Sequence, residues 1–263
     1  MARNYTVTST TTTRKRLTHP SEYADLRLRL VASEGLYTTS AYAALASADL
    51  DPVGVWCDRT HPAHKYEQAT AGKRAQLILA ATPAGGPAVR FASASSQYLA
   101  LAGNTDLIAG NRTVICACRF TSIAGLGVLV GASDSNWYAG VLNTAKTTMR
   151  HLKADTAAQS TSAAGSTLSL STWYVLAYRH TWDNGNNVTA TMWRNGTQLV
   201  STSYTTGITL PTATTWHIGS SSGAAGFLDG DIAELNVYGD DLTDAEIALL
   251  TYDLMREHGI TGS

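Results

Sequence analysis

Between Asp49 and Tyr238 the chain is a series of short runs in which apolar and polar residues alternate, each closed by a cluster of Gly, Asn, Asp, Ser or Thr. A period of two sends successive side chains to opposite faces of an extended backbone and leaves no continuous apolar stripe for a helix. The runs predicted as strands are PAVRFA (Pro87 to Ala92), QYLALA (Gln97 to Ala102), TVICACRF (Thr113 to Phe120), GVLVGA (Gly127 to Ala132) and WYAGVL (Trp137 to Leu142). TWYVLAYRHT (Thr172 to Thr181), NVTATMWRN (Asn187 to Asn195), TQLVSTSY (Thr197 to Tyr204), TTWHIGS (Thr214 to Ser220) and GDIAELNVY (Gly230 to Tyr238) complete the set. Many carry the β-branched and aromatic residues that suit a pleated, half-buried surface. Asn195-Gly196 lies between two of these runs and signals a tight hairpin, because both central positions of that turn need positive φ; Asp183-Asn184-Gly185 is similar. Regularly spaced short strands with tight turns predict an all-β fold, an antiparallel two-sheet sandwich.

The two ends of the chain differ from this body. In DDLTDAEIALLTYDLMREHGI, Thr243 followed three residues later by Glu246 is a capping box, and Leu242 with Ile247 occupies the positions of a hydrophobic staple. Ile247, Leu250 and Leu254 then share one face and Gly259 stops the helix, which is predicted over residues 243–258. At the other end, Thr10 to Thr13 precede the basic cluster Arg14, Lys15 and Arg16, a segment unable to bury much by itself. Residues 1–48 are therefore expected to form an N-terminal arm and anchoring segment, and residues 49–263 the sandwich with its C-terminal helix. Within the arm, Ser21 caps an expected short helix with Tyr23, Leu26 and Leu30 on one side and Gly35 as its stop, although Leu26, Leu28 and Leu30 also alternate as in a strand.

Composition narrows the function classes. Charged residues make up 15% of the 263 residues, and Thr, Ser, Ala and Gly together supply nearly half of the chain, which excludes a coiled coil or long helical bundle. A formal net charge of −1 provides no field to condense on phosphate backbones or anionic lipid, so neither nucleic acid nor membrane is expected as a partner. No stretch approaches the roughly 18 apolar residues of a membrane span. MARNYTVTSTTTTRKR also lacks the apolar core of a secretory signal, which predicts assembly in the cytoplasm. Cys57, Cys116 and Cys118 are an odd set, and the last two sit too close on one strand face to bridge easily; all three are read as free thiols.

The segment GFLDGDIAELNVYGDDLTDAEIALLTYDLMREHGI resembles the closing signature of laminin-G-like and concanavalin A-like jelly-roll domains: a glycine, an Ile-Ala-Glu strand, a Tyr-bearing turn and a helix introduced by Leu-Thr-Asp-Ala-Glu. GVWCDRTHPAHKYEQATAGKRAQ, GGPAVRFASASSQYLAL and STWYVLAYRHTWDNGNNVTATMWRNGTQL are similar to earlier segments of the same family, in the same order. The resemblance spans roughly residues 50 to 260 and implies a jelly roll. Ala92-Ser93 departs from it, standing where the family often has Asp-Gly. The apolar residues of the closing segment also have packing reasons of their own, with Ile232, Leu235 and Val237 as expected core.

Catalytic chemistry is hard to find. Glucanases of this architecture use paired carboxylates about 5–5.5 Å apart, and none of Glu22, Glu34, Glu67, Glu234, Glu246 and Glu257 has a partner at the required strand spacing. Glu246 has its capping role, and Asp231 falls on the opposite strand face from Glu234. Gly219-Ser220-Ser221-Ser222-Gly223 fits a Gly-x-Ser-x-Gly pattern, but a strand rather than a helix follows, so it is read as a loop. Gly125-Leu126-Gly127 lacks the rest of a phosphate-binding fingerprint, and His151, His180 and His217 are isolated on strands. Cys57, Asp58, His61 and His64 are the one cluster of metal-ligand residue types; their spacing is unlike common zinc frames, and the histidines are expected to be solvent-exposed around Pro62.

What remains is recognition. Two rim loops combine aromatics with Asp and Asn, a pairing suited to sugar rings and hydroxyls: Asp134, Asn136, Trp137 and Tyr138 in one, Trp182, Asp183, Asn184 and Asn186 in the other. For both tryptophans an inward core position is the competing reading, and for Asp134 and Asp183 ordinary turn chemistry. The family resemblance implies a calcium ligand at Asp134; no other cofactor is expected. The function expected on these grounds is non-enzymatic: a virion structural or adhesion protein of bacteriophage, as decoration, spike or tail component. Arg14, Lys15 and Arg16 would attach it to other virion proteins, it would form a homo-oligomer, and its jelly roll would face cell-surface polysaccharide. A free lectin-like carbohydrate-binding module is the alternative, and a glycoside hydrolase the third reading.

Overall fold

The computed structural model describes residues 25–105, 107, 110–123, 125–133, 137–142, 147–152, 158–162, 167–183, 187–204 and 215–262. In chain order the strands are β1 (Leu26–Val31), β2 (Leu36–Tyr37), β3 (Pro52–Val53), β4 (Val55–Cys57), β5 (Lys65–Glu67), β6 (Ala75–Ile78), β7 (Ala88–Phe91), β8 (Leu99–Leu101) and β9 (Arg112–Phe120). They continue as β10 (Leu126–Ala132), β11 (Trp137–Leu142), β12 (Thr147–Leu152), β13 (Ala158–Ser162), β14 (Trp173–Trp182), β15 (Val188–Arg194), β16 (Thr197–Tyr204), β17 (Trp216–Ile218) and β18 (Gly230–Tyr238). An α-helix, α1 (Asp244–His258), follows.

Two antiparallel sheets form the sandwich. The first runs β16-β15-β14-β9-β18-β7-β6-β3, with β1 also paired to β18; the second runs β13-β12-β11-β10-β17-β8-β5-β4-β2. Leu28, Trp56, Tyr66, Val114, Cys116, Cys118, Trp137, Tyr178, Trp216 and Leu235 belong to one core between them. TVICACRF shows why its strand is buried throughout: Val114, Cys116, Cys118 and Phe120 face the second sheet, while Ile115 and Ala117 face α1. The three cysteines are unbridged.

The helix is placed by the devices legible in its sequence. Thr243 Oγ1 accepts the Glu246 N–H at 3.3 Å, Glu246 Oε2 accepts the Thr243 N–H at 2.8 Å, and Gly259 ends the helix at φ 67°. Leu242, Ile247, Leu250 and Leu254 bury against Ile115, Val175, Trp193 and Tyr238, about 1.5–3 kcal/mol for each large side chain. Arg179 donates to the Leu242 carbonyl at 2.9 Å and the Asp244 carboxylate at 2.7 Å, fixing the helix N-terminus to β14. Asn195 and Gly196 both have positive φ, 49° and 80°, as the hairpin between β15 and β16 requires.

Two expectations for the N-terminal region are corrected. Residues expected in a short helix from Ser21 form strand β1 instead, with Leu30 opposite Leu235 and Leu28 opposite Val237 of β18. The alternation of Leu28 and Leu30 wins because β18 offers an edge beyond the end of β7, and both drop into the core, whereas Leu26, beyond a register shift, packs on the α1 side. Strands β1 and β2 thus belong to the two sheets although they precede residue 49, the boundary expected between arm and sandwich. Arg14, Lys15 and Arg16 lie outside the described residues.

Candidate functional site

The described residues that flank the two rim loops meet at one end of the sandwich. Arg112 at the start of β9 pairs with His180 near the end of β14, and its guanidinium lies 4.5 Å from the ring centre of Trp137 and 5.3 Å from that of Trp216 in the opposite sheet. This cluster closes the core rather than opening a site. Trp137 is 1% exposed, its ring 5.7 Å from that of Trp216, and Tyr138 is buried as well; both are corrected from ligand-binding to packing residues. The strand starts at Trp137 itself, so its first side chain already points inward. Trp182 is half-buried, with its ring 6.5 Å from that of His180. Asp183 is exposed, and its carboxylate accepts the Asn187 backbone N–H at 3.1 Å and side-chain amide at 2.6 Å, the turn chemistry that competed with a binding role. Asp134, Asn136, Asn184 and Asn186 lie outside the described residues, and with Asp134 the calcium expectation.

A cleft of about 400 Å³ lies instead on the flank of the second sheet, lined by Gly35, Tyr37, Tyr42, Cys57, Asp58, Arg59, Pro62 and Lys65. Its floor follows from strand pairing. Leu36, Trp56 and Tyr66 lie opposite one another and face the core, so the alternate positions Tyr37, Cys57, Lys65 and Glu67 face out. The segment after β2 turns back over this face, with the Thr38 N–H donating to the Ala44 carbonyl and Gly54 N–H to the Tyr37 carbonyl. It delivers Tyr42 at φ 56°, a conformation a bulky residue rarely adopts. There the Tyr42 hydroxyl donates to Glu67 Oε1, the Lys65 ammonium sits 3.9 Å over the ring, and the Tyr37 ring meets it edge to face at 5.3 Å. Burial, and after it the bond to Glu67, pushes the Tyr42 hydroxyl above its ordinary pKa, and burial pushes the Cys57 thiol up. Sequence reasoning missed this site. KYE and VWC were short, and the return of Tyr42 depends on backbone geometry that its residue type argues against.

At one wall of the cleft stands Asp58, with a fully buried side chain. Its Oδ1 accepts the Arg29 N–H at 3.0 Å, the Thr60 N–H at 2.8 Å and the Thr60 hydroxyl at 2.6 Å. Its Oδ2 lies 3.7 Å from Nδ1 of both His61 and His64. His61 is exposed as expected, at 45%, whereas His64 is half-buried, and their rings approach to 4.9 Å. Cys57, part of the same sequence cluster, is not among the ligand atoms that come together.

Other carboxylates have structural partners. Asp231 is clamped by Arg90 at 2.8 Å and Arg119 at 2.7 Å, and Asp229 accepts the Ser93 N–H at 2.7 Å. Glu234 is buried beside Arg29, Asn236 and His258, where Arg29 Nε donates to it at 2.9 Å; despite the cost of burial, these partners hold its carboxyl below the usual glutamate range. Glu257 and His258 approach Glu234 closely enough to share an ion, but the Arg29 guanidinium already pairs with Oε1 of that carboxylate. Ser221 lies in a loop whose hydroxyl donates to the Ala225 carbonyl at 2.9 Å, and no helix follows it.

Comparison with solved structures gives the fold. The binding domain of Paraclostridial Mosquitocidal Protein 1 superposes with a TM-score of 0.61 at 13% identity, covering 90% of this chain and 53% of that one. The binding domain of botulinum neurotoxin serotype G gives a TM-score of 0.54 at 11% identity, over 87% of this chain and 51% of that one. The binding domain of botulinum neurotoxin DC in complex with SialylT gives 0.52 at 12% identity, over 88% and 52%. The chain thus spans about half the length of the structures it matches. No curated protein sequence matches it. The model of the concanavalin A-like lectin/glucanase superfamily in its laminin-G form matches residues 92–248, which begins after the last residue of the cleft. With two antiparallel sheets, a C-terminal helix and a family match over more than half of its residues, the chain belongs to the concanavalin A-like lectin/glucanase superfamily.

Proposed function

We propose that the protein is a non-catalytic glycan-binding module whose recognition surface is the cleft of Tyr37, Tyr42, Arg59 and Lys65. The observation that carries this reading is the pair of tyrosines set edge to face beside two cationic side chains in an open cleft. Ring faces stack on the C–H side of a pyranose while hydroxyls, ammonium and guanidinium groups bind its oxygens. The carboxylates described elsewhere are engaged in ion pairs, turns and a helix cap, which favours binding over hydrolysis. The three structures compared above are binding domains, one of them in complex with SialylT, which supports a glycan as the ligand class. A glycan array probed with the whole chain tests it. Tyr37→Ala and Tyr42→Ala are expected to weaken the best ligand about tenfold or more, roughly 1.4 kcal/mol, with Trp182→Ala as the rim comparator. A folded wild-type chain that binds no glycan, or tyrosine variants that bind as wild type does, would overturn the reading.

Display of this module on a bacteriophage particle, as a homo-oligomer, is the second part of the proposal. Its support is the Thr-rich arm ending in Arg14, Lys15 and Arg16. Deletion of residues 1–20 should abolish co-sedimentation with capsid or tail proteins while leaving glycan binding intact; retained co-sedimentation removes the attachment role.

A further inference from the structure

We infer that Asp58, His61 and His64 form a binding site for a divalent transition metal of the zinc class. The assignment is independent of the glycan reading. Asp58 is the observation that points to a cation: its side chain is fully buried, three donors saturate Oδ1 and fix the carboxylate's rotation, and Oδ2 accepts no hydrogen bond. A buried carboxylate oxygen without a donor costs free energy unless a positive charge meets it. What it faces is two imidazole nitrogens, each at 3.7 Å.

That distance discriminates between two arrangements. It exceeds hydrogen-bonding range, which ends near 3.2 Å. It is close to the edge of a tetrahedron of ligands around a metal, about 3.4 Å when metal–ligand bonds are about 2.0–2.1 Å. The three ligand atoms lie within 4.8 Å of one another; His61 Nδ1 also meets the Thr60 hydroxyl at 3.1 Å, a contact that metal binding would exchange for the ion. The loop holds the imidazoles for this: the Asp58 N–H donates to the His64 carbonyl at 3.0 Å and the His64 N–H to the His61 carbonyl at 2.7 Å. Two imidazoles and one carboxylate select zinc, nickel or copper over calcium and magnesium, which prefer all-oxygen shells. Three protein ligands leave a fourth position for water or a ligand oxygen.

The test uses the untagged full chain, equilibrium dialysis against Zn²⁺ with metal analysis, and Co²⁺ as a spectroscopic probe. One equivalent of Zn²⁺ should bind in the presence of millimolar Ca²⁺ and Mg²⁺, and Co²⁺ should give intense visible bands of tetrahedral coordination. His61→Ala, an exposed position whose loss leaves the fold intact, should weaken Zn²⁺ at least tenfold, and His61→Ala/His64→Ala should remove the visible bands. Asp58→Asn, which keeps Oδ1 as acceptor, should weaken Zn²⁺ similarly, with circular dichroism confirming the fold. Failure of the wild-type chain to bind Zn²⁺, or binding unchanged in the double histidine variant, would overturn the assignment. Since glycan binding is read separately on the tyrosine variants, the two proposals fail independently.

Discussion

Replacing Arg29 by Met isolates one buried ion pair of the fold. Arg29 is 12% exposed and Glu234 fully buried, with Nε and Oε1 at 2.9 Å. Asn236 Nδ2 donates to the same oxygen at 3.0 Å, and His258 Nε2 stands 3.7 Å from the other. Met keeps most of the apolar stem but leaves a buried carboxylate with a neutral amide and one histidine. Removing one partner of such a pair costs roughly 3–5 kcal/mol, and the retained Asn236 bond sets the expectation near the lower end. For a chain of this size that is about 2–4 °C in Tm for each kcal/mol. Adding Glu234→Gln removes the stranded charge while keeping an acceptor for Asn236, so the double variant should recover more than half of the loss. The assay is urea unfolding of wild type, both single variants and the double variant, reading midpoints at constant m. The sign with pH follows from the lowered Glu234 pKa. Its stabilisation is complete above the ordinary glutamate range and is lost as pH falls through the folded-state value. In Arg29→Met that value rises, so acid unfolding should begin at higher pH. A cost below about 1 kcal/mol, or a double variant no more stable than Arg29→Met, would refute the argument.

Other outcomes follow from single contacts. His217 is buried under Gly223 and beside Tyr98, and burial lowers its pKa to about 4; its ring protons should titrate there by NMR, and its contribution to stability should fall between the unfolded value of about 6.5 and that point as pH drops. A midpoint at the unfolded value would mean the ring is hydrated. Thr243→Ala removes the cap of α1 and should cost about 1 kcal/mol in chemical unfolding. Gly140→Ala has no such modest outcome: its Cβ would meet the Gly127 carbonyl oxygen at 2.5 Å, so β10 and β11 must separate, a loss of roughly 1–3 kcal/mol or more.

What could be read in advance depended on whether a residue's neighbours were close in sequence. The helix cap, the staple and the Asn195-Gly196 turn involve residues three to five apart or adjacent, and the runs of β11, β16 and β18 carry their own alternation. Strands β12 and β13, TTMRHL and AQSTS, went unread because few apolar residues mark either face. β1 was ambiguous locally, since Leu26 and Leu30 satisfy a helix and Leu26, Leu28 and Leu30 a strand; the partner that decides it lies some 200 residues away in β18. The same separation hid the cleft. Tyr37, Cys57 and Lys65 meet only through the pairing of β2, β4 and β5, and Asp58 meets the Arg29 backbone N–H of β1, 29 residues away.

The rim and flank readings of recognition make opposite forecasts for two aromatic side chains. In a rim site, Trp137 would stack on ligand, and Trp137→Ala would lose binding while leaving stability nearly unchanged. Its observed place between Trp216 and Arg112 reverses this. Truncation removes a buried indole and leaves the Arg112 guanidinium against a void, a loss of roughly 3–5 kcal/mol, so any fall in binding should track the folded fraction and vanish when corrected for it. Tyr42 behaves in the other sense. It is only partly buried and held in a left-handed conformation, so Tyr42→Ala should change stability by less than about 1 kcal/mol while reducing glycan affinity at full folded fraction. Measuring denaturation and glycan affinity on both variants separates the two surfaces: a stable Trp137→Ala that fails to bind would return recognition to the rim, and a stable Tyr42→Ala that fails to bind places it on the flank.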